Sequence, residues 1–113
     1  MLNTNLRHIE SIDEHDKFIK ENNNVMICCG RMGPMCIPVY NTLELLEKEY
    51  LHVKFADMDF DGPAAQVIRY APECDNFMGL PFTVYYKNGK IVKATSSIQN
   101  KEQIESILDA EFT

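Results

Sequence analysis

The sequence contains no tryptophan and no long apolar run. Its longest unbroken apolar stretch runs from Val25 to Cys29 and has only five residues, which is far too short to cross a membrane. Charged side chains are scattered through residues 1–24, so the apolar segment of a secretory signal is missing. These absences predict a protein with no membrane partner, and we expect a cytoplasmic location.

Positive charge is also scarce. The 11 Lys and Arg residues are outnumbered by 17 Asp and Glu residues, which gives a formal net charge of −6. An acidic surface repels phosphate backbones, so we expect no nucleic-acid partner. The chain also lacks a phosphate-binding loop, a dinucleotide-binding motif and the cysteine spacing of zinc or iron–sulfur sites. The sequence therefore predicts no bound cofactor and no metal centre.

What the sequence does contain is enough apolar material for one core, together with four cysteines. With 113 residues, 45% of them hydrophobic, residues 1–113 are expected to form a single domain. Four cysteines are too few for a disulfide-stapled scaffold, and cytoplasmic thiols stay reduced. The placement of these cysteines is therefore the main clue to function.

Periodicity and turn residues predict a succession of helices and strands. Ser11 and Glu14 form a capping-box pair, and apolar residues follow at helical spacing. The sequence pattern predicts helices over about 11–21, 35–50, 63–70 and 101–112, and strands over 25–29, 52–59, 82–87 and 90–95. Gly30 to Pro34 is a predicted turn, Pro72 to Met78 an irregular loop, and Asn88-Gly89 a hairpin turn.

This order of elements predicts an α/β fold. Strands separated by helices must pair in parallel, whereas the hairpin adds antiparallel strands to the same sheet. The expected architecture is a mixed parallel and antiparallel central sheet with helices on both faces.

Three local motifs in this order resemble the thioredoxin family. Gly79-Leu80-Pro81 leads into the strand and turn of residues 82–90, and Gly33-Pro34 lies in a strand-to-helix turn. The final helix continues the likeness, which covers roughly residues 10–112. The resemblance implies a thioredoxin fold with a cis peptide before Pro81, and thiol–disulfide exchange with partner protein or peptide disulfides. It also implies a reductant similar to thioredoxin reductase.

The chain departs from this family at the redox motif. An ungapped comparison places Met32 and Met35 where the family has its two redox cysteines, and Met26 where it has a buried acid. One inserted residue would instead place Cys36 at the second of those cysteines. Both registers remain open from the sequence. The resemblance therefore implies the fold more strongly than the mechanism.

Cys36 is the predicted reactive thiol, because it lies in the first turn of a helix. The helix N-terminus favours a thiolate there, and Arg31 would add positive charge. Cys28 and Cys29 point to opposite faces of a strand, so only one can face the turn. We predict that Cys29 closes a disulfide with Cys36, with Cys74, in the loop before Pro81, as the other candidate resolving thiol. The alternative is that Cys28 and Cys29 only pack in the strand interior. The catalytic residues are thus predicted to be Cys36, Cys29 and Cys74.

The resemblance also implies a groove that binds the partner. The backbone of Leu80, the residue before the proline, would pair with an extended peptide by strand addition. Ser97 takes the place of a glycine on the opposite wall, where it would narrow the groove. The predicted substrate-binding residues are Arg31, Met32, Gly33, Pro34, Met35, Leu80, Pro81 and Ser97.

Two other functions fit the same residues. In a redox-inactive binding module the methionines of the turn would serve as apolar contacts. In a Cu(I)-binding protein, Met32, Met35, Cys36 and Met78 would supply soft sulfur ligands. The alternating acids Asp57, Asp59 and Asp61 are interpreted as a solvated strand end. The histidines are interpreted as surface or interfacial residues.

Overall fold

The computed structural model describes residues 2–74 and 79–112. The strands are Arg7–Ile9 (β1), Asn24–Gly30 (β2), Lys54–Asp59 (β3), Phe82–Lys87 (β4) and Lys90–Thr95 (β5). The α-helices are Ile12–Glu21 (α1), Ile37–Glu49 (α2), Gln66–Arg69 (α3) and Lys101–Glu111 (α4), and short 3-10 helices span Pro63–Ala65 and Pro72–Cys74.

The five strands form one sheet in the order β1-β3-β2-β4-β5. Strand β3 pairs in parallel with both β1 and β2, whereas β2–β4 and β4–β5 are antiparallel. The predicted mixed sheet with flanking helices is therefore confirmed. The central strand β2 is buried along almost its whole length, because helices cover both faces of the sheet.

Strand alternation divides the buried residues into two cores, one on each face of the sheet. We call the first the α2–α4 core, and its members include Met26, Cys28, Cys36, Tyr40, Leu43, Phe55, Tyr85 and Leu108. We call the second the α1–α3 core, and its members include Phe18, Val25, Ile27, Cys29, Ala56, Ile68, Cys74 and Tyr86. Successive residues of β2 alternate between the two, so the sheet itself separates them.

The helix ends match the capping residues of the sequence. The Ser11 hydroxyl accepts the backbone N–H of Glu14 at 3.1 Å at the start of α1. At the start of α4, Asn100 and Gln103 form a reciprocal capping box with two hydrogen bonds of 2.8 Å. Each cap satisfies backbone donors that would otherwise lack a partner at the first turn.

Several predicted boundaries need correction. Strand β1 was not predicted, because a three-residue edge strand carries too little periodicity to detect. Helix α2 begins at Ile37 rather than at position 35, and the predicted helix over 63–70 is a 3-10 helix followed by the short α3. The predicted loop over 72–78 opens with a 3-10 helix, and its last four residues lie outside the described ranges. Among the described residues, no helix is long and apolar enough to cross a membrane.

Candidate functional site around Cys36

Cys36 occupies the N-terminal boundary of α2, at the end of the turn that leaves β2. The turn is closed by its own backbone, since the amides of Cys36 and Ile37 both donate to the carbonyl of Gly33, at 3.1 and 3.0 Å. The Cys36 carbonyl in turn accepts the amide of Tyr40 at 3.1 Å. The side chain is only 3% exposed. The sequence prediction of a helix-terminal cysteine is therefore confirmed, with its thiol buried rather than open to solvent.

The Cys36 sulfur lies in a close arrangement of backbone and side-chain groups. The backbone N–H of Arg31 donates to Sγ at 3.4 Å, and the Tyr40 hydroxyl donates to the Arg31 carbonyl at 3.2 Å. A Cβ at Gly30 would lie 2.6 Å from the Tyr40 hydroxyl, 3.0 Å from Cys36 Sγ and 3.4 Å from Pro81 Cβ. Only glycine leaves room for these groups, so Gly30 is the point where β2, α2 and the Pro81 loop meet.

The guanidinium of Arg31 is paired with a carboxylate. It makes two hydrogen bonds of 2.8 Å to the carboxylate of Asp61, and it lies 5.2 Å from the Phe60 ring centroid. This bidentate contact lowers the pKa of Asp61 below its usual range. Arg31 thus reaches the Cys36 sulfur through its backbone N–H, and its charge also interacts with Cys36 while the guanidinium pairs with Asp61.

The rest of the turn forms an exposed apolar rim beside the buried thiol. Met32 is 41% exposed and Met35 is 50% exposed, and Pro34 is also exposed. The Met32 sulfur accepts the backbone N–H of Asn3 at 3.3 Å. Gly33 is half-buried, and a Cβ there would meet no atom within 4 Å. The turn thus offers contact area to a partner without presenting a sulfhydryl at its surface.

The proline loop has the conformation that the sequence resemblance implies. The Leu80–Pro81 peptide bond is cis, which confirms that expectation, and Leu80 packs against both cores. The opposite wall is in direct contact with this loop, since the Ser97 N–H donates to the Gly79 carbonyl at 3.4 Å. Ser97 has a φ of +67°, a left-handed conformation that favours glycine.

The four cysteines divide between the two faces of the sheet, and no disulfide joins any of them. Cys28 and Cys36 belong to the α2–α4 core, whereas Cys29 and Cys74 belong to the α1–α3 core. The structure therefore does not bring Cys29 or Cys74 to Cys36, and the predicted pairings require correction. Strand alternation correctly predicts that Cys28 and Cys29 face opposite sides of the sheet. It is Cys28, and not the predicted Cys29, that shares a face with Cys36.

Burial also affects the chemistry of the strand cysteines. It raises the pKa of Cys29 to about 12, and it raises the pKa of the Cys28 thiol further, against a weak hydrogen bond from the Thr83 hydroxyl at 3.8 Å. Each thiol therefore keeps its proton at neutral pH unless a neighbouring base accepts it.

A buried acid that the sequence interpretation missed lies next to Cys28. Asp57 is fully buried and is the register partner of Cys28 across β2 and β3. One of its oxygens accepts the Thr4 hydroxyl, and the other contacts Nδ1 of His8 at 2.6 Å. Burial raises the pKa of Asp57, and the hydrogen bonds from Thr4 and His8 oppose that rise. The interpretation of Asp57 as part of a solvated strand end is therefore wrong.

A sequence signal for this acid existed. Phe55 enters the α2–α4 core and Ala56 and Met58 enter the α1–α3 core, so both faces of β3 are covered. Alternation then requires Asp57 to follow Phe55 into the interior. His8, at the neighbouring position of β1, is the partner of this buried acid and is itself partly exposed.

No metal site emerges from these groups. Among residues 2–74 and 79–112, no cluster of three or more His, Cys, Asp or Glu side chains is placed to hold a metal ion. The Cu(I) hypothesis also named Met78, which lies outside the described residues. Its other ligands are divided between the exposed sulfurs of the turn and the buried Cys36.

Comparison with solved structures finds thioredoxins that match nearly the whole chain. A thioredoxin from Plasmodium falciparum is 22% identical with a TM-score of 0.77, covering 94% of this chain and 99% of that one. A thioredoxin variant from Halobacterium salinarum is 18% identical with a TM-score of 0.79, covering 100% and 97%. A thioredoxin from Fasciola hepatica is 23% identical with a TM-score of 0.73, covering 93% and 98%. No protein-family model and no curated protein matches the sequence. At these identities the likeness shows a shared fold.

Proposed function

We propose that this chain, which has the thioredoxin fold, exchanges thiol for disulfide with partner proteins through Cys36. The observation that carries the proposal is the position of the Cys36 sulfur. The sulfur lies at the N-terminus of α2 and accepts the Arg31 N–H. It also lies 3.0 Å from the Cβ position of Gly30, which in turn is 3.4 Å from Pro81 Cβ. A helix N-terminus and a backbone donor both favour negative charge on a group placed there.

The reaction begins with a mixed disulfide between this chain and its partner. The Cys36 thiolate attacks one sulfur of a partner disulfide, the partner S–S bond breaks, and the second partner sulfur leaves as a thiolate that takes up a proton. The proton of Cys36 passes to solvent. Because the thiol is 3% exposed, an opening movement of the turn must precede attack.

Partner recognition follows from the surface around the thiol. The backbone of Leu80 pairs with an extended segment of the partner by strand addition. The exposed side chains of Met32 and Met35 supply adaptable apolar contacts on the other side. The proposed partners are protein or peptide disulfides, and a reductant similar to thioredoxin reductase would regenerate the thiols. We place this activity in the cytoplasm, where reductants keep thiols reduced.

One observation favours a second candidate, a binding module without redox activity. The Cys36 thiol is buried while the apolar rim of Met32 and Met35 is exposed, which is the arrangement expected of a surface that binds without reacting. Such a module would use the same groove and would need none of the cysteines.

A turnover assay separates the two candidates. A test protein with an accessible disulfide is reduced with dithiothreitol as electron source, in the presence of the wild type, Cys36→Ser or Cys29→Ser. Cys29→Ser is the matched control, because Cys29 is equally buried but faces the opposite core. We expect turnover by the wild type and by Cys29→Ser, and its loss in Cys36→Ser. A wild-type rate at the uncatalysed background would support the binding module instead.

A further inference from the structure

We propose that Cys28 is the resolving thiol, which releases the partner by forming a disulfide with Cys36. This inference rests on the proposed thiol–disulfide exchange at Cys36 and adds its second step. It is carried by the placement of both sulfurs in the α2–α4 core, on the same face of β2.

The geometry along β2 brings the two residues near each other. Gly30 follows Cys28 by two positions, so both point to the same face, about 7 Å apart along the strand. The Cys36 sulfur lies 3.0 Å from the Cβ position of Gly30. The sulfur is therefore beside the next position of β2 that shares a face with Cys28. A disulfide requires Cα atoms within about 7 Å, so after the turn has opened Cys36 to a partner it has to return towards β2 and Cys28 for the second step.

The other two cysteines are separated from Cys36 by the sheet. Cys29 and Cys74 pack in the α1–α3 core, and reaching Cys36 would require their side chains to pass through the paired strands β2 and β4. Cys28 is thus the one cysteine that shares a face with Cys36.

The buried Cys28 thiol has a proton acceptor beside it. Asp57 is its register partner in β3, and parallel neighbours lie about 4.8 Å apart with side chains on the same face. Other polar or titratable groups around Asp57 are Thr4, His8, Asp59 and Tyr40. The His8 ring contacts Asp57 at 2.6 Å, and both residues line a cavity of about 250 Å³ beside β1 and β3. Asp57 and His8 therefore connect the buried thiol to the surface.

The resolving step balances in atoms and electrons. The Cys28 thiol gives its proton to the Asp57 carboxylate, and the resulting thiolate attacks the Cys36 sulfur of the mixed disulfide. The Cys28–Cys36 bond forms while the bond from Cys36 to the partner breaks, and the partner leaves as a thiolate that is then protonated. Over both steps the partner disulfide is reduced to two thiols, and Cys28 and Cys36 are oxidised to one disulfide.

The test uses the full chain and a peptide carrying one accessible disulfide. With the wild type, we expect disulfide mapping to find Cys28 linked to Cys36 after reaction. With Cys28→Ser, we expect the mixed disulfide on Cys36 to accumulate and multiple turnover to be lost. Cys29→Ser and Cys74→Ser serve as controls and should behave as the wild type. Asp57→Asn should form the mixed disulfide at the normal rate but resolve it about 100-fold more slowly.

The outcomes separate this inference from the proposed function. Resolution at the wild-type rate in Cys28→Ser, or linkage of Cys36 to Cys29 or Cys74, would overturn the role of Cys28 while leaving Cys36 as the reactive thiol. Failure to detect any adduct on Cys36 in any variant would overturn the proposed function itself. Because Cys28 is fully buried, folding of each variant is checked by circular dichroism, and Cys28→Ala provides a second substitution. The disulfide mapping of the wild type does not depend on the folding of any variant.

Discussion

The Cβ position of Gly30 lies 3.0 Å from the sulfur of Cys36. A real side chain at position 30 would occupy space that the thiol now fills, and it would also lie 2.6 Å from the Tyr40 hydroxyl. The absence of a side chain at the end of β2 therefore permits the N-cap residue of the next helix, Cys36, to turn its sulfur inwards. The position of the proposed reactive thiol depends on this contact.

Gly30→Ala should therefore disturb both stability and reactivity. The added methyl group must displace the Tyr40 hydroxyl and the Cys36 sulfur in a tightly packed region, which we expect to cost about 1–3 kcal/mol of unfolding free energy. Gly33→Ala is the matched control in the same turn, because a Cβ there meets nothing within 4 Å. Urea denaturation measures both variants. Equal losses of unfolding free energy in the two variants would show that the close contacts of Gly30 do not determine the cost of the substitution.

Tyr85 and Tyr86 should respond in opposite directions to removal of their hydroxyl groups. Among the described residues, the buried Tyr85 hydroxyl has no hydrogen-bond partner, whereas the Tyr86 hydroxyl bonds Nε2 of His15 at 2.8 Å. We expect Tyr85→Phe to raise the free energy of unfolding by about 1 kcal/mol, because an unpaired buried polar group is removed. Tyr86→Phe should lower it by about 1 kcal/mol, because Nε2 of the buried His15 loses its partner. Chemical denaturation of the two variants tests the pair, and a loss of stability in Tyr85→Phe would contradict the assignment.

Asp57 should make the protein less stable as pH rises. Burial raises its pKa in the folded state above the unfolded value, so the folded chain binds the proton more tightly. The contribution of Asp57 to stability is therefore present at acid pH and declines as pH rises through the folded pKa. We expect the free energy of unfolding of the wild type, relative to that of Asp57→Asn, to fall as pH rises through the folded pKa of Asp57. Urea denaturation at successive pH values measures this difference.

Asp61 provides a control of opposite sign. Its pKa is lowered by Arg31, so any stabilisation is present above the unfolded pKa and is lost as pH falls through the folded one. The pair is exposed on both sides, so its effect should be small. The change in unfolding free energy relative to the wild type should therefore depend on pH in opposite directions for Asp57→Asn and Asp61→Asn. The same direction in both variants would contradict the assignment of Asp57 as a buried, desolvated acid.

Replacement by glycine should be better tolerated at Ser97 than at the neighbouring positions. Its φ of +67° carries a steric cost of about 1 kcal/mol for a residue with a Cβ, although glycine also adds entropy to the unfolded chain. We expect Ser97→Gly to stabilise the protein by less than about 1 kcal/mol. Asn88→Gly is the comparison, at a φ of +53°, where asparagine is already tolerated and the gain should be smaller. Thermal denaturation ranks the two, and a clear loss in Ser97→Gly would contradict the argument.

Much of this fold could be predicted from the sequence, since the local signals agree with the tertiary structure. The apolar run of β2, the Asn88-Gly89 turn and the Ser11 cap each appear where the sequence pattern places them. Strand β1 could not be predicted, because its three residues gain their conformation from parallel pairing with β3 rather than from a pattern of their own.

The candidate site was less predictable for a related reason. The sequence establishes that Cys28 and Cys29 face opposite ways, but only the packing of α2 over one face decides which of them joins Cys36. Asp57 was misjudged because its burial depends on the N-terminal segment and β1, through Thr4 and His8. Alternation along β3 indicates that the Asp57 side chain points inwards, but the groups that pair with it lie in distant parts of the chain and leave no local signal.

The most direct measurement follows the four cysteines during reaction with oxidised glutathione. The reduced wild type is mixed with glutathione disulfide, quenched with an alkylating agent at successive times, and each cysteine is scored by peptide mass spectrometry. Our account predicts that Cys36 is the first thiol to escape alkylation, as a glutathione adduct or a protein disulfide, while Cys29 remains alkylatable after unfolding. If Cys36 stays a thiol throughout, or is consumed no faster than Cys29, Cys36 is not the reactive thiol.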